Sequence, residues 1–484
     1  MFPTEYLSRM KALLNEEYDD YLRSLETGAY KALRLNPLKA DEAQLLVLLN
    51  KYIGVDDRIP WEPLGYYYSE DEQEQGKAMM PPGKNPLHEA GMYYIQEPSA
   101  MLPAARMMAG GGERILDLCA APGGKTTQTA SYMNGRGVLV CNEIVASRAR
   151  ILSENVERMG VRNALVLNET PQKLRDSFVD YFDRILVDAP CSGEGMFRKN
   201  EQARDEWSVD NVRMCAERQD EILDCAATML KPGGMMVYST CTFSKEEDEE
   251  CIERFLGRHP DYKLEGEEKL FPHRIRGEGH FAACLVREGT TEASGYCSCG
   301  TFDGVRITDY LQDSDRDRNK SRSKGRDKNR GRDNSGSEAG RKAFGEFCRD
   351  VLTEEAIAHL NGRLLWYGEN LYLMPEGAPG IDGLKVLRPG LWLGTFKKER
   401  FEPSHALALA LKPEEARSKV DITLKTAIGF IAGMTIDNEK NDKECGEDLR
   451  GWVLVCCEGI SLGWGKAVGN TIKNHYPKGL RKQL

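Results

Sequence analysis

Ile115-Leu116-Asp117-Leu118-Cys119-Ala120-Ala121-Pro122-Gly123-Gly124-Lys125-Thr126 is the stretch that decides the fold. A short apolar run, Ile115–Leu118, meets a glycine-containing turn and then the start of a helix. Such a turn lets backbone approach a bound ligand closely. It lacks the G-x-x-x-x-G-K-[ST] pattern of a phosphate loop, and the G-x-G-x-x-G of a dinucleotide site is also absent.

Outward from this turn, short apolar runs alternate with helical stretches. Gly137–Cys141, Leu165–Leu167, Ile185–Val187 and Met235–Tyr238 read as strands, and 147–159 and 209–230 as helices. Alternation of this kind implies a mostly parallel sheet covered on both faces, a doubly wound α/β domain over about 98–286. Ligands of such sheets sit at the carboxyl ends of the strands.

Before it, Leu7, Met10, Leu14, Tyr18, Tyr21 and Leu25 recur at helical spacing, predicting one amphipathic helix over 3–25. Arg34-Leu35-Asn36-Pro37 turns extended at Asn36, residues 42–53 read as a second helix, and Met92–Ile95 is a short apolar run. Residues 1–97 are therefore expected to form a small mixed α+β domain. Beyond the central domain, 287–343 reads as a disordered polar linker. Within it, 313–342 has no aromatic residue and carries 11 Lys/Arg against 6 Asp/Glu. Such a stretch buries no core; it is either a solvated linker or a basic tether that attracts RNA phosphates. Residues 344–484 hold the strand-like runs Leu371–Met374, Leu384–Leu387, Leu391–Leu393 and Trp452–Val455, predicting one or two small β-rich domains.

Composition bounds the function. The 484-residue chain has a net charge of -10, so any nucleic-acid contact must come from local basic patches. No run of about 18 apolar residues suggests a membrane span. The start, Met1-Phe2-Pro3-Thr4-Glu5, leads into a helix rather than a signal peptide, and the 14 scattered cysteines read as reduced cytosolic thiols. Cys297 and Cys299 have no second pair at metal spacing, so no metal site is expected.

Two acids follow successive strands. Glu143 suits a ribose diol, because a carboxylate accepts from two adjacent hydroxyls, and Glu169 is placed to reach an adenine amino group. With the glycine turn they predict a nucleoside site. Two thiols follow strands as well, in Asp188-Ala189-Pro190-Cys191-Ser192-Gly193 and in Ser239-Thr240-Cys241-Thr242. Thiols suit methylation at C5 of cytosine, a carbon too weakly nucleophilic to attack a methyl sulfonium unaided. A thiolate added to C6 makes C5 electron-rich; C5 takes the methyl, a base removes its proton, and the thiol leaves. Asp188 is placed to hold the base, accepting from the exocyclic amine or, protonated, donating to N3. Spacing alone leaves open which thiol attacks.

These residues resemble the Nop2/Sun family of RNA cytosine-C5 methyltransferases. The matches are the Cys119–Lys125 turn, the Asp188–Cys191 turn, Thr240-Cys241-Thr242-Phe243, Gln96-Glu97-Pro98-Ser99, Arg148 with Asn155, Lys231-Pro232-Gly233-Gly234, and Gly277-Glu278-Gly279-His280-Phe281. The resemblance implies a Rossmann-like domain dependent on S-adenosylmethionine. It implies that Cys241 is the nucleophile and Cys191 the helper in product release. It also places Cys119, Ala120, Ala121, Pro122, Gly123, Gly124, Lys125, Glu143, Glu169 and Asp188 at the cofactor. Glu169 departs from the family's usual Asp.

The tail adds Arg388-Pro389-Gly390-Leu391, Arg400-Phe401-Glu402-Pro403-Ser404-His405, Gly463-Trp464-Gly465-Lys466 and Lys473–Arg481. These resemble bacterial 16S rRNA methyltransferases of this family that end in a PUA-like RNA-binding module. Basic groups there suit phosphates, and Trp464 and Tyr476 read either as stacking platforms for unpaired bases or as core. The expected partner is RNA, 16S rRNA or the 30S subunit, met by a cytoplasmic monomer. The same chemistry on tRNA, and a ribosome-assembly factor without catalysis, are the competing readings.

Overall fold

The computed structural model describes residues 2–69, 80–290, 295–311, 338–398, 400–437 and 449–483. Its centre is a sheet whose strands are here labelled β1 (Arg114–Asp117), β2 (Val138–Asn142), β3 (Ala164–Leu167), β4 (Phe182–Asp188), β5 (Leu230–Thr240), β6 (Tyr262–Leu270), β7 (His280–Arg287) and β8 (Val386–Arg388). They lie in the order β6-β7-β5-β4-β1-β2-β3-β8. The five strands from β5 to β3 are parallel. The chain runs outward from β1 through β2 and β3, then returns to place β4 on β1's other side. That reversal opens a crevice at the carboxyl ends of β1 and β4.

Strand alternation builds both cores. Leu116, Val140, Leu165, Ile185 and Met236 face the helix Val209–Met229 and its buried Leu223 and Ala226. Ile115, Leu139, Val166, Leu186 and Val237 turn the other way, toward Leu152 and Val156 of the helix Ala146–Arg158. Burial of both faces makes these strands read as apolar runs.

The N-terminal domain pairs Arg58–Ile59, Glu62–Tyr67, Ala32–Leu35 and Tyr93–Ile95 in one sheet. Its helix Glu42–Tyr52 is capped by Asp41, which accepts from Gln44 N. The single helix expected over 3–25 is instead two, Thr4–Leu14 and Tyr18–Glu26, broken where Asn15 adopts φ 48°. With ψ at -109° this backbone is not helical, and the first helix ends on the Asn15 N–H bond to Lys11 O. The break lets Tyr6, Met10 and Tyr21 join one core with Phe197, Trp207 and Phe243 of the central domain.

The stretch 287–343 is not uniformly without structure. Tyr296–Cys297 pairs with Phe178–Val179, Val305–Arg306 pairs with Arg363–Leu364, and a helix begins at Glu338. The physical reason is local: Ile307 and Tyr310 have apolar surface to bury, and do so against Phe344 and Phe347. The polar run 313–337, which prompted the linker reading, lies outside the described residues.

The C-terminal part contains two five-stranded sheets. One expected strand leaves it: Val386–Arg388 becomes β8, antiparallel to β3. Arg388 fixes the contact, pairing with Glu157 and donating from Nε to Ser153 Oγ at 3.2 Å. Trp464 and Tyr476 are not stacking platforms. They are 1% and 2% exposed, and Trp464 Nε1 donates to Ser404 O at 2.9 Å. An indole or phenol in a tight core satisfies its polar edge internally and has no face for a base.

Candidate active site

At the end of β1, Thr126 Oγ1 donates to Asp117 Oδ2 at 2.6 Å. Asp117 Oδ1 is buried and has no hydrogen-bond partner among the described residues. Burial pushes this carboxyl up to about 7. Gly123 has φ 114°, a backbone conformation that other residues adopt only with strain, and a Cβ there would crowd Leu152 Cδ1 at 3.2 Å. Arg148 Nη2 donates to Ala121 O and Asn155 Nδ2 to Pro122 O, each at 2.8 Å. Both side chains thus lock the turn from the helix behind it. The turn borders a cleft of about 220 Å³, whose walls include Tyr94, Gln96, Asp117, Cys119, Lys125 and Asp188. Burial raises the Cys119 thiol far above its ordinary value, so it acts as a small apolar wall.

Glu143 and Glu169 stand at the next two strand ends, beyond these walls. Glu143 Oε1 accepts from Val145 N at 2.8 Å, with Arg148 Nη1 3.4 Å from Oε2. Glu169 Oε1 accepts from Lys385 N at 2.7 Å, in the segment that enters β8. Its carboxylate therefore meets the C-terminal part of the chain, a contact that local sequence does not announce.

Asp188 closes β4. Lys125 Nζ lies 2.9 Å from Oδ2, and Ser239 Oγ donates to Oδ1 at 2.9 Å. Burial opposes ionisation, but the Lys125 ammonium, with His280 beside it, holds this carboxyl well below the usual range. The pairing with Lys125 favours the ionised, accepting form of Asp188.

The two thiols meet. Cys191 Sγ is 3.3 Å from Cys241 Sγ, because β4 and β5 are neighbours and each ends in a cysteine turn. The Cys241 contact and burial push the Cys191 thiol far up, so Cys191 keeps its proton at neutral pH. Sequence reading missed what ties the turns together. Glu247 Oε2 accepts from Ser192 N at 3.0 Å and from Gln219 Nε2 at 2.9 Å, while Oε1 accepts from Ser192 Oγ. Ser192 Oγ also lies 2.8 Å from Thr242 Oγ1. Glu194 accepts from Phe243 N at 3.0 Å and Trp207 Nε1 at 2.9 Å. Glu247 and Glu194 are acids among many in the sequence; only proximity to the cysteine turns in the chain hinted at them.

His280 is the other residue whose place needed the fold. Its Nε2 lies 3.5 Å from Asp188 Oδ1. The preceding loop is fixed by Glu278 N donating to Glu97 Oε1 at 2.8 Å and Gly279 N to Ser99 Oγ at 3.1 Å. That explains why the Gln96–Ser99 and Gly277–Phe281 motifs occur together.

Comparison with known proteins agrees with this geometry. Family models match in four blocks: the N-terminal domain of 16S rRNA methyltransferase RsmF over 2–98, 16S rRNA methyltransferase RsmB/F over 106–286, the RsmF first C-terminal domain over 346–411, and the methyltransferase RsmF PUA domain over 417–482. The ribosomal RNA small subunit methyltransferase F of Erwinia tasmaniensis is 30% identical over 99% of this chain and 96% of its own. The chain belongs to the ribosomal RNA small subunit methyltransferase F family. The Vibrio atlanticus protein of that name is likewise 30% identical, over 99% of this chain and 97% of its own. Among solved structures, a methyltransferase homolog from Pyrococcus horikoshii covers 60% of this chain and 96% of its own at 27% identity and TM-score 0.52. NSun6 from the same organism, solved with SFG, shares the fold at 23% identity and TM-score 0.53, covering 60% and 99%.

Members of this family use S-adenosylmethionine. The residues fit that cofactor: a glycine turn bordering the cleft, a buried Asp117 oxygen in the cleft wall without a partner among the described residues, and an acid following β2.

Proposed function

We propose that the protein methylates C5 of a cytosine in 16S rRNA through a covalent bond between Cys241 Sγ and C6 of the base. The observation that carries this reading is the pair of thiols 3.3 Å apart beside an ionised Asp188. S-adenosylmethionine, held by Asp117, the Cys119–Lys125 turn and Glu143, supplies an electrophilic methyl group. Asp188 accepts from the exocyclic amine and orients the ring. The Cys241 thiolate adds to C6, and C5 becomes the nucleophile for the methyl. Solvent water takes the C5 proton, which restores the C5–C6 double bond and expels Cys241 as thiolate. Cys191, in contact with Cys241, gives its proton to the departing sulfur so that it does not add again, and both thiols then re-equilibrate with solvent, one proton being released per methyl transferred.

RNA is held by the N-terminal domain over 1–97 and by the PUA domain, which share one core; Lys466, Lys473 and Lys478 of the latter suit phosphates. With both aromatics of that domain in its core, contact there is electrostatic rather than by stacking. The names of the full-length relatives favour small-subunit rRNA over tRNA; in this reading a cytoplasmic monomer acts on 16S rRNA or the 30S subunit. The intact thiol pair favours an enzyme over an assembly factor.

The test uses purified protein, labelled S-adenosylmethionine and unmethylated 30S subunits or free 16S rRNA. Wild type is expected to form 5-methylcytosine, Cys241→Ala none, and Cys191→Ala a protein–RNA adduct that survives denaturing electrophoresis. No product from wild type would sink the reading, and normal turnover by Cys241→Ala would sink the nucleophile.

A further inference from the structure

Cys191 and Cys241 are close enough to react with each other as well as with a base. Their sulfurs are 3.3 Å apart, and a disulfide needs about 2.05 Å, so about 1.2 Å of approach separates them from a bond. The backbone permits it. β4 and β5 are parallel neighbours whose last paired residues are Asp188 and Ser239, and each cysteine follows within three residues. Adjacent strands run about 4.8 Å apart. That lies inside the span of about 4.4–6.8 Å between the Cα atoms of disulfides. Two contacts hold the turns against each other: Gly195 N donates to Cys241 O at 2.8 Å, and Ser192 Oγ lies 2.8 Å from Thr242 Oγ1. The remaining approach falls to rotation of the two short side chains.

Both sulfurs are partly exposed, whereas eight other described cysteines are buried. A thiol that must meet a base is open to small oxidants too. In a reducing cytosol such a pair rests as thiols, and the disulfides that do form there are mostly transient or redox-sensing.

We propose that Cys191 and Cys241 are an oxidation site for hydroperoxides, forming a reversible disulfide that stops methyl transfer and spares the nucleophile from irreversible damage. The Cys241 thiolate attacks the peroxide: an S–O bond forms, the O–O bond breaks, and the hydroxide released takes a proton from solvent. Cys241 is now a sulfenic acid, and the peroxide is reduced. The Cys191 sulfur then attacks the Cys241 sulfur. The S–S bond forms, the S–O bond breaks, and the departing hydroxide takes the Cys191 proton as water. For hydrogen peroxide, two thiols and one peroxide give one disulfide and two waters. A sulfenic acid without a second thiol at hand goes on to sulfinic acid, which thiols do not reduce. The disulfide returns to two thiols by exchange with an external dithiol.

The bond consumes the attacking thiol and leaves the cofactor cleft intact, since neither sulfur is among its walls. The oxidised protein therefore binds S-adenosylmethionine and transfers nothing. Formation of the bond rests on geometry; its effect on activity rests on Cys241 as the nucleophile proposed above.

The test titrates reduced protein with hydrogen peroxide, blocks free thiols with N-ethylmaleimide, and digests with trypsin without reductant. Mass spectrometry is expected to find the Cys191 and Cys241 peptides joined, in wild type and equally in Cys299→Ser, which removes the neighbouring Cys297–Cys299 pair. Methylation of 30S subunits falls in step with the joined fraction, S-adenosylmethionine binding by calorimetry is unchanged, and dithiothreitol restores methylation. In Cys191→Ser, shown to be folded by the same calorimetry and read by mass alone, peroxide carries Cys241 to sulfinic acid that dithiothreitol does not reverse. Absence of the Cys191–Cys241 link, or a link confined to Cys297–Cys299, overturns the inference. So does wild-type Cys241 passing to sulfinic acid with the pair unjoined. Full activity in the joined protein overturns the switch together with the nucleophile assignment. No methylation by fully reduced wild type removes the function proposed above, and the link is then decided by mass alone.

Discussion

Replacing Glu247 separates hydrogen-bond geometry from charge beneath the two thiols. The side chain is fully buried, and its oxygens take Ser192 N at 3.0 Å, Gln219 Nε2 at 2.9 Å and the Ser192 hydroxyl. Burial pushes its carboxyl up to about 7, so near neutrality a large share is already uncharged. Glu247→Gln keeps an acceptor oxygen for the two N–H donors, and its amide can donate to Ser192 Oγ, which can turn its own proton to Thr242. Glu247→Ala leaves the Ser192 N–H and one Gln219 N–H without an acceptor. Each unmade buried donor costs about 1–3 kcal/mol, so the alanine variant should lose about 2–6 kcal/mol of stability and the glutamine variant about 1 kcal/mol or less. The loosened turn carries Cys191, and a displacement of about 1 Å in a reacting group can slow turnover roughly 100-fold. Urea unfolding reads the first effect and single-turnover methylation of 30S subunits the second. If glutamine proves as damaging as alanine by both assays, negative charge rather than acceptor geometry holds the turns, and the reasoning fails.

Folding should take up protons near neutral pH. Burial raises Asp117 and Glu247 to about 7 and Asp248 to about 8, so the folded chain holds these protons more tightly than the unfolded one. Stability should therefore fall as pH rises from 6 to 9, and a urea midpoint that climbs over that interval would contradict the burial argument. Arg198 and Glu278 pair at 2.6 Å with side chains 3% and 2% exposed. Arg198→Ala leaves the buried Glu278 carboxylate with Lys199 alone, at 3.5 Å, and should cost up to about 3–5 kcal/mol, with faster amide exchange in Tyr18–Glu26, since Arg198 also donates to Ser24 O. Trp464→Ala should cost about 3–5 kcal/mol of stability and leave the RNA affinity of the folded protein unchanged in filter binding. Lys466→Ala and Lys473→Ala should do the opposite, lowering affinity and flattening its salt dependence with little effect on unfolding.

How far these features were readable depended on the physical range of each signal. β1 through β5 showed as apolar runs because both faces of each strand are covered. β6 did not, since Tyr262–Leu270 is charged along most of its length and exposes much of it at the sheet edge. The cofactor turn and both thiols were legible because backbone geometry and covalent chemistry demand particular residues in a short span. Glu247 was not, since its role arises from contact with Ser192, 55 residues away in the chain. Residues 3–25 kept helical periodicity across a break that a single residue, Asn15, introduces. Trp464 and Tyr476 show the ambiguity of an aromatic in a basic segment: spacing could not tell a stacking face from a core, and burial does.

The seam between β3 and β8 gives the chain a dependence on its own far end. Without Val386–Arg388, the fully buried strand Ala164–Leu167 would present a bare row of amides and carbonyls beside Val166 and Leu167. An exposed apolar edge of this kind recruits other strands. A protein truncated after β7 would thus trade one solubility problem for another, losing the RNA-binding tail and gaining a sticky border. Sedimentation of such a truncation should show more self-association than the intact chain. The C-terminal part thus closes the edge of the central sheet, and gain or loss of that part in evolution would require the edge to change with it.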